Sequence, residues 1–363
     1  MSNYVYSSSP HVKSPNTTRR IMIDVCIALL PACIAGCVLL GLAEARLGWL
    51  SFMVLALACL SAVAAEFIFL LCCKKKFAEI IKQFDFSSLV TGLLVGMNMY
   101  ATSKWYAVIL ASVFAIIIVK MLFGGTGKNI VNPAIAGRIF AFIAFGAAFG
   151  GAMGFEKKVF GIKAGFVQTG ATPLQAFFNA DKTNTLSNLD LLIGTGVPGC
   201  IGEICKIALI AGGIYLVVRG VLNFRWPLVY ILTTGVVAVL IVWIESCMKD
   251  GKFIAALMGT KFVPALKSFL PSILSGGLIL GAIFMATDYV TTPNTKLGNY
   301  IYFVLLGILT AVLRRAVKGE AVSFAILLMN LLVPLFDLYI RRKPFGYVKP
   351  AKTKKVKEAK NNG

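Results

Sequence analysis

Charge is scarce in this chain. Charged side chains make up 14% of its 363 residues, against roughly a quarter in soluble domains. Acids are the scarcer sign, with 15 Asp and Glu against 36 Lys and Arg, and histidine occurs once, at His11. A single histidine excludes haem held between paired intramembrane histidines and any metal site built on imidazole. Nine cysteines are present, but no CxxC pairs with a second CxxC, which argues against an iron–sulfur cluster held by this chain alone. Most of them (Cys26, Cys33, Cys37, Cys59, Cys72, Cys73) sit in apolar runs and read as small buried apolar residues. No strand-linked GxGxxG is present, so nothing points to a nicotinamide site. The first twenty residues lack an apolar segment, and no cleavable signal peptide is expected.

What is abundant is apolar surface: 58% of residues, with mean hydropathy +0.83. Several runs exceed the ~18 residues that read as a membrane span. Long unbroken runs exclude a barrel, whose strands alternate. The expected fold is all-α, a polytopic membrane protein with about ten transmembrane helices. The runs lie at about 21–42, 49–73, 88–100, 105–123, 134–155, 200–218, 226–244, 270–287, 300–313 and 322–340. The third is too short for a full crossing unless it is broken or its ends are covered by protein. Ser88-Leu89-Val90-Thr91-Gly92 resembles Ser272-Ile273-Leu274-Ser275-Gly276, and each opens the third run of its half. Two inverted five-helix repeats with broken helices follow from that spacing. The organisation expected is a polar arm over 1–20, a first membrane repeat over 21–155, an outer loop over 156–199, a second repeat over 200–340 and a basic tail over 341–363.

The formal net charge is +21. Most Lys and Arg flank apolar runs, which suits anionic lipids at a cytoplasmic leaflet and not nucleic acid. The arm, the tail and the loops on their side are richer in basic residues than the opposite loops, so both termini are expected in the cytoplasm and the 156–199 loop on the outer face. Arg314, Arg315 and Lys318 break that pattern, and either are buried, cap their helix or meet a partner.

Three stretches carry chemistry. Acids in apolar runs are costly and therefore functional candidates. Of Asp24, Glu66, Glu203, Asp288 and Asp337, Glu66 and Asp288 are the candidates for an ion path. Asp24 and Asp337 read as solvated helix-end residues, and Glu203 as a partner for Lys206. Asp288 has Thr287, Thr291 and Thr292 beside it, which makes it either a hard-oxygen cation site or a capped helix end. Asn129 and Asn132, in a stretch with Gly124, Gly125 and Gly127, either bind a flat polar ring, coordinate an ion, or cap the next helix. Finally, Thr169-Gly170-Ala171-Thr172-Pro173 leaves the Thr172 hydroxyl with little bulk around it, in a loop stiffened by proline. Taken alone it is a loop hydroxyl.

Thr169-Gly170-Ala171-Thr172 resembles the Ser/Thr-Gly-Ala-Thr sequence to which flavin transferases attach FMN through a phosphoester. That motif belongs to RnfD, a membrane subunit of Rnf electron-transport complexes, and to its related counterpart in the sodium-translocating NADH:quinone reductase. Ser9-Pro10-His11, Ile21-Met22-Ile23-Asp24-Val25, Gly124-Gly125-Thr126-Gly127-Lys128-Asn129 and Met285-Ala286-Thr287-Asp288-Tyr289 also resemble RnfD. The likeness runs over about 9–345, and the short arm favours the Rnf type. Phe166 stands where the family pattern has Asp. The resemblance implies covalent FMN on Thr172 and a second, non-covalent flavin (riboflavin or another) near Asn129 and Asn132. It implies partner subunits that bind ferredoxin and NAD, a flavin transferase, and a place in electron transfer coupled to Na+ or H+ transport across the inner membrane. It also implies a translocase subunit with no complete active site of its own. The alternatives are a redox-free transporter of inverted-repeat fold and a structural scaffold subunit.

Overall fold

The computed structural model describes residues 16–146, 148–149, 187–194, 197, 199–249, 265–317 and 321–341. The Thr172 motif with its surrounding loop, Lys318, the first fifteen residues and the tail beyond 341 lie outside the described residues. Among the described residues the secondary structure is entirely helical. Five helices are long and apolar enough to cross a membrane. Each of the ten apolar runs has a helical counterpart.

Helix α1 (Thr18–Ala43) starts where the Thr17 hydroxyl accepts from the Arg20 N–H at 3.3 Å. It gives way to α2 (Ala45–Cys72) across the single extended residue Glu44. So tight a reversal needs glycine on both sides: a Cβ on Gly48 would lie 2.6 Å from the Gly41 Cα. Lys74, with φ 61, ends α2 in the left-handed conformation, its neighbour Lys75 N–H reaching the Leu70 carbonyl at 3.2 Å. A short helix, α3 (Phe77–Gln83), leads to α4 (Ser87–Met97).

Helix α4 is the short third run, and most of it is buried. It lies against α2 through Gly92, where an added Cβ would meet the Ala58 carbonyl and the Cys59 Cα at 2.8 Å. Helix α5 (Trp105–Met121) is π-helical over Phe114–Met121, a wider turn of the kind often found at functional sites. Helix α6 (Pro133–Ala144) stops well short of the expected end near 155. Phe145 leaves helical geometry at φ −127, and the chain folds over the start of α5, with the Lys104 N–H donating to the Ala148 carbonyl at 2.9 Å.

The second half begins with α7 (Asn188–Ile193), a 3-10 turn at Ile201–Glu203, then α8 (Lys206–Val218) and α9 (Arg225–Lys249). The eighth run is broken, as its Ser and Gly residues lead one to expect. Helix α10 (Phe269–Leu274) ends at Ser275, Gly276 takes φ +66, and α11 (Leu278–Leu280) continues as a π turn over Gly281–Met285. Helices α12 (Lys296–Val317) and α13 (Val322–Tyr339) complete the bundle. Helix α2 packs on α4 and α5, and α9 packs on α10 and α12, while α1 with α8 and α6 with α13 join the halves. Arg314, 2% exposed, is one of the misfit basic residues explained: it donates to the Ser272 and Ser275 carbonyls at 2.7 and 3.0 Å, closing the end of α10.

Gly92→Val forces branched atoms into the α2 backbone. Overpacking of this kind costs about 1–3 kcal/mol, and a lower melting midpoint of the detergent-solubilised protein is the expected result. A wild-type midpoint would show that the α2–α4 crossing is looser than described.

Candidate functional site

A cavity of about 130 Å³ opens at the end of the bundle where α1 begins. Met22, Val25, Val90 and Phe284 form apolar walls, and Ser87, Lys120, Thr126, Asn129 and Asp288 form a polar edge. Asn129, Asn132 and Asp288, far apart in sequence, share this lining. Glu66 stands one side chain behind it, bound to Lys120 at 3.1 Å.

The two asparagines differ in what they have left to offer. Asn132 Oδ1 accepts from the Ala134 N–H at 3.0 Å as the cap of α6, and its Nδ2 donates to the Met285 carbonyl at 3.1 Å. Its amide is thus used at both ends, tying α6 to the π turn of the other half. Asn129 Nδ2 donates to the Val131 carbonyl at 3.0 Å, and its side chain also touches Asp288. Around Asp288, the Thr287 and Thr292 hydroxyls donate to the carbonyls four residues back at 2.6 and 3.1 Å. Thr291, 1% exposed, turns its hydroxyl toward Asp288 without completing a well-aligned hydrogen bond. That leaves an oxygen beside Asp288 for an ion or water. The cavity is smaller than the ~300 Å³ at which small-molecule sites begin. As it stands it suits a few waters or a hydrated cation, and a flavin ring would need the 122–132 loop to move.

Behind the polar edge runs a layer of charges. Lys120, 2% exposed, sits in the π-helical part of α5 and reaches both Glu66 Oε1 at 3.1 Å and Ser87 Oγ at 2.6 Å. Ser87 donates in turn to Asp85 Oδ1 and lies 3.1 Å from Thr126 Oγ1. Burial pushes the Asp85 carboxyl up, but bonds from the Ser87 and Thr126 side chains and the Ser87 N–H, with the Lys120 charge, outweigh it and hold it below the usual carboxylate range.

A second charged group sits deeper. Arg138 of α6 donates to Asn98 Oδ1 and Ser323 Oγ, both at 2.9 Å, and meets Glu203 Oε1 at 3.5 Å. Lys206 Nζ donates to the Glu203 backbone carbonyl. One arginine therefore holds α4, α6, α13 and the turn before α8 together. Asp24 corrects the sequence reading: it is 6% exposed, not solvated. Because the end of α8 packs on α1, Asp24 accepts from Tyr215 Oη at 3.0 Å and from Arg219 at 3.2 Å. Asp337 accepts from the Asn294 N–H and side chain at 2.9 and 2.7 Å. Sequence reasoning weighed only the acids and so missed Lys120 and Arg138. The signal was present, since a basic residue in an apolar run carries the same desolvation cost.

A family model described as the NQR2, RnfD, RnfE family matches residues 5–346. Among curated relatives, the D component of the Na(+)-translocating ferredoxin:NAD(+) oxidoreductase complex of Acetobacterium woodii is 35% identical, over 98% of this chain and 99% of its own. The D component of the ion-translocating oxidoreductase complex of Stutzerimonas stutzeri is 31% identical over 90% of this chain and 92% of its own. The protein of that name from Alcanivorax borkumensis is 28% identical over 94% and 97%.

Arg138→Ala strips Glu203 of a buried counter-charge and leaves Asn98 and Ser323 short of a donor. A loss of about 3–5 kcal/mol is expected, with part recovered in the Arg138→Met, Glu203→Gln pair, as read from melting midpoints. Asp85 sets a pH dependence. Its folded-state value lies below the ordinary 3.8, so its contribution is complete above that pH and fades as pH falls through the lowered value. The melting midpoint of Asp85→Asn should therefore lie below wild type at neutral pH and converge with it in acid below 3.8.

Proposed function

The chain belongs to the NQR2, RnfD, RnfE family, and from that premise we propose that it is the RnfD-type membrane subunit of an ion-translocating ferredoxin:NAD+ oxidoreductase complex. In this reading FMN is held as a phosphoester on Thr172, and the protein takes part in electron transfer coupled to Na+ or H+ transport. The observation that carries it is end-to-end similarity to relatives of that name, in a chain that also contains Thr169-Gly170-Ala171-Thr172. A bound flavin supplies one- and two-electron chemistry, while the protein supplies position and electrostatics. The ferredoxin and NAD sites belong to partner subunits, and a flavin transferase modifies Thr172.

The membrane placement proposed is the inner membrane, crossed several times, with both termini cytoplasmic and the Thr172 loop outside. The cavity then faces the cytoplasm, with anionic lipids around the basic residues that flank the helix ends on that side. Glu66 and Asp288 are the ion-path residues in this reading. A second flavin at Asn129 and Asn132 is the weaker part of it, given the cavity volume and the bonds that already engage both ends of the Asn132 amide.

The test is a denaturing gel of the complex made with its transferase. A fluorescent flavin band at this protein's size, lost in Thr172→Ala, is the expected outcome, together with a fall in ferredoxin-driven NAD+ reduction. Absence of the band from the native complex sinks the flavin assignment. Full electron transfer by an assembled Thr172→Ala complex would favour a scaffold role.

A further inference from the structure

The line of side chains behind the cavity has a use that neither a flavin nor a hydrated cation requires. Lys120 Nζ touches Glu66 Oε1 at 3.1 Å on one side and Ser87 Oγ at 2.6 Å on the other, and the Ser87 hydroxyl donates to Asp85 Oδ1. The line is unbroken. It joins a carboxylate 8% exposed inside the bundle to a half-buried one at the foot of α4. At its inner end, Glu66 Oε2 is buried and has no partner, and neither has the Ser88 hydroxyl, which is 0% exposed. The α2–α4 register, set by Gly92 against Ala58 and Ala62, brings Ser88 within about one turn of Glu66.

We propose that Glu66, Lys120, Ser87 and Asp85 form a proton relay between the bundle interior and the cavity end of the protein. This rests on the ion-path reading of Glu66 and narrows it to one ion. A sodium ion on Glu66 Oε2 would share one carboxylate with the Lys120 ammonium, and two cations that close repel strongly where the dielectric is low. A proton meets no such barrier, because the lysine carries it. In the step toward the cavity the Lys120 ammonium passes a proton to Ser87 Oγ as the Ser87 hydroxyl proton moves to Asp85 Oδ1. The neutral amine then takes the proton of a protonated Glu66. The sum is transfer of one proton from Glu66 to Asp85, with Lys120 and Ser87 restored. Among the described residues, the other charges facing this line are few. Arg19 lies over the Phe86 ring at 5.3 Å, Lys128 runs along Gly124, and Asp288 stands on the cavity lining. Helix α4 itself contributes hydroxyls and no charge.

Lys120→Arg separates relay from ion pair, since a guanidinium keeps the positive charge and the partner but does not give up its proton. The measurement is time-resolved infrared spectroscopy after a pH jump, on the assembled complex in membranes, following the carboxyl band that disappears in Glu66→Gln. Lys120→Arg and Ser87→Ala should each slow protonation of Glu66 by about 100-fold, and Ser87→Thr should restore it. Wild-type rates in Lys120→Arg and Ser87→Ala overturn the relay, as does a Glu66 band that follows Na+ at constant pH. If Lys120→Arg fails to assemble, the Ser87→Ala and Ser87→Thr pair decides alone. If Glu66→Gln removes no band and leaves ion transport intact, the ion-path reading itself fails together with the relay.

Discussion

The charges buried inside this bundle, among the described residues, are held against other polar groups, and the packing is arranged around that requirement. A lone ion in a medium of low dielectric costs far more than the whole stability of a domain, so each buried cation draws helices toward it. Arg138 gathers four segments. Arg314 closes the end of a broken helix. Lys120 binds α5 to α2 and α4. The apolar residues supply area, but the charges decide which helices meet and at what height. Small residues at Gly92, Gly96 and Gly137 then let the backbones come close enough for those contacts to form.

Two acid–base pairs show a similar arrangement with different chemistry. In the first, a glutamate late in α2 meets a lysine late in α5 (Glu66 and Lys120), and that lysine reaches the start of α4. In the second, a glutamate late in α9 meets an arginine late in α12 (Glu245 and Arg315), and the adjacent Arg314 reaches α10. Lysine, a point charge on a flexible stem, occupies the copy that borders the cavity. Arginine, with its fixed fork of donors, occupies the copy that locks a helix end. The same framework is thus tuned for exchange at one place and for permanence at the other.

Much of the fold was legible because hydrophobic run length and Gly/Ser interruptions are local signals. The short third run and the broken eighth run were both readable, since a chain that cannot span must have its ends covered. The end of α6 was not readable: apolar residues continue past Phe145, yet the chain leaves the helix there and turns so that the Ala148 carbonyl accepts from the Lys104 N–H. The site was legible in part. Asn129, Asn132 and Asp288 do share one cavity, yet the bond from Asn132 to the Met285 carbonyl depends on a residue more than a hundred positions away. Asp24 was misjudged for the same reason, because Tyr215 and Arg219 reach it from the other half.

The one-residue joint at Glu44 makes α1 and α2 a single structural unit. Helices α1 and α2 have no loop between them that could wait at the surface while one crosses alone. Gly41 and Gly48 lie in close contact at the reversal. The pair therefore forms one tight hairpin, with Lys74, Lys75 and Lys76 following directly on its second helix. Helix α4 packs against both members of that hairpin, and α8 against its first.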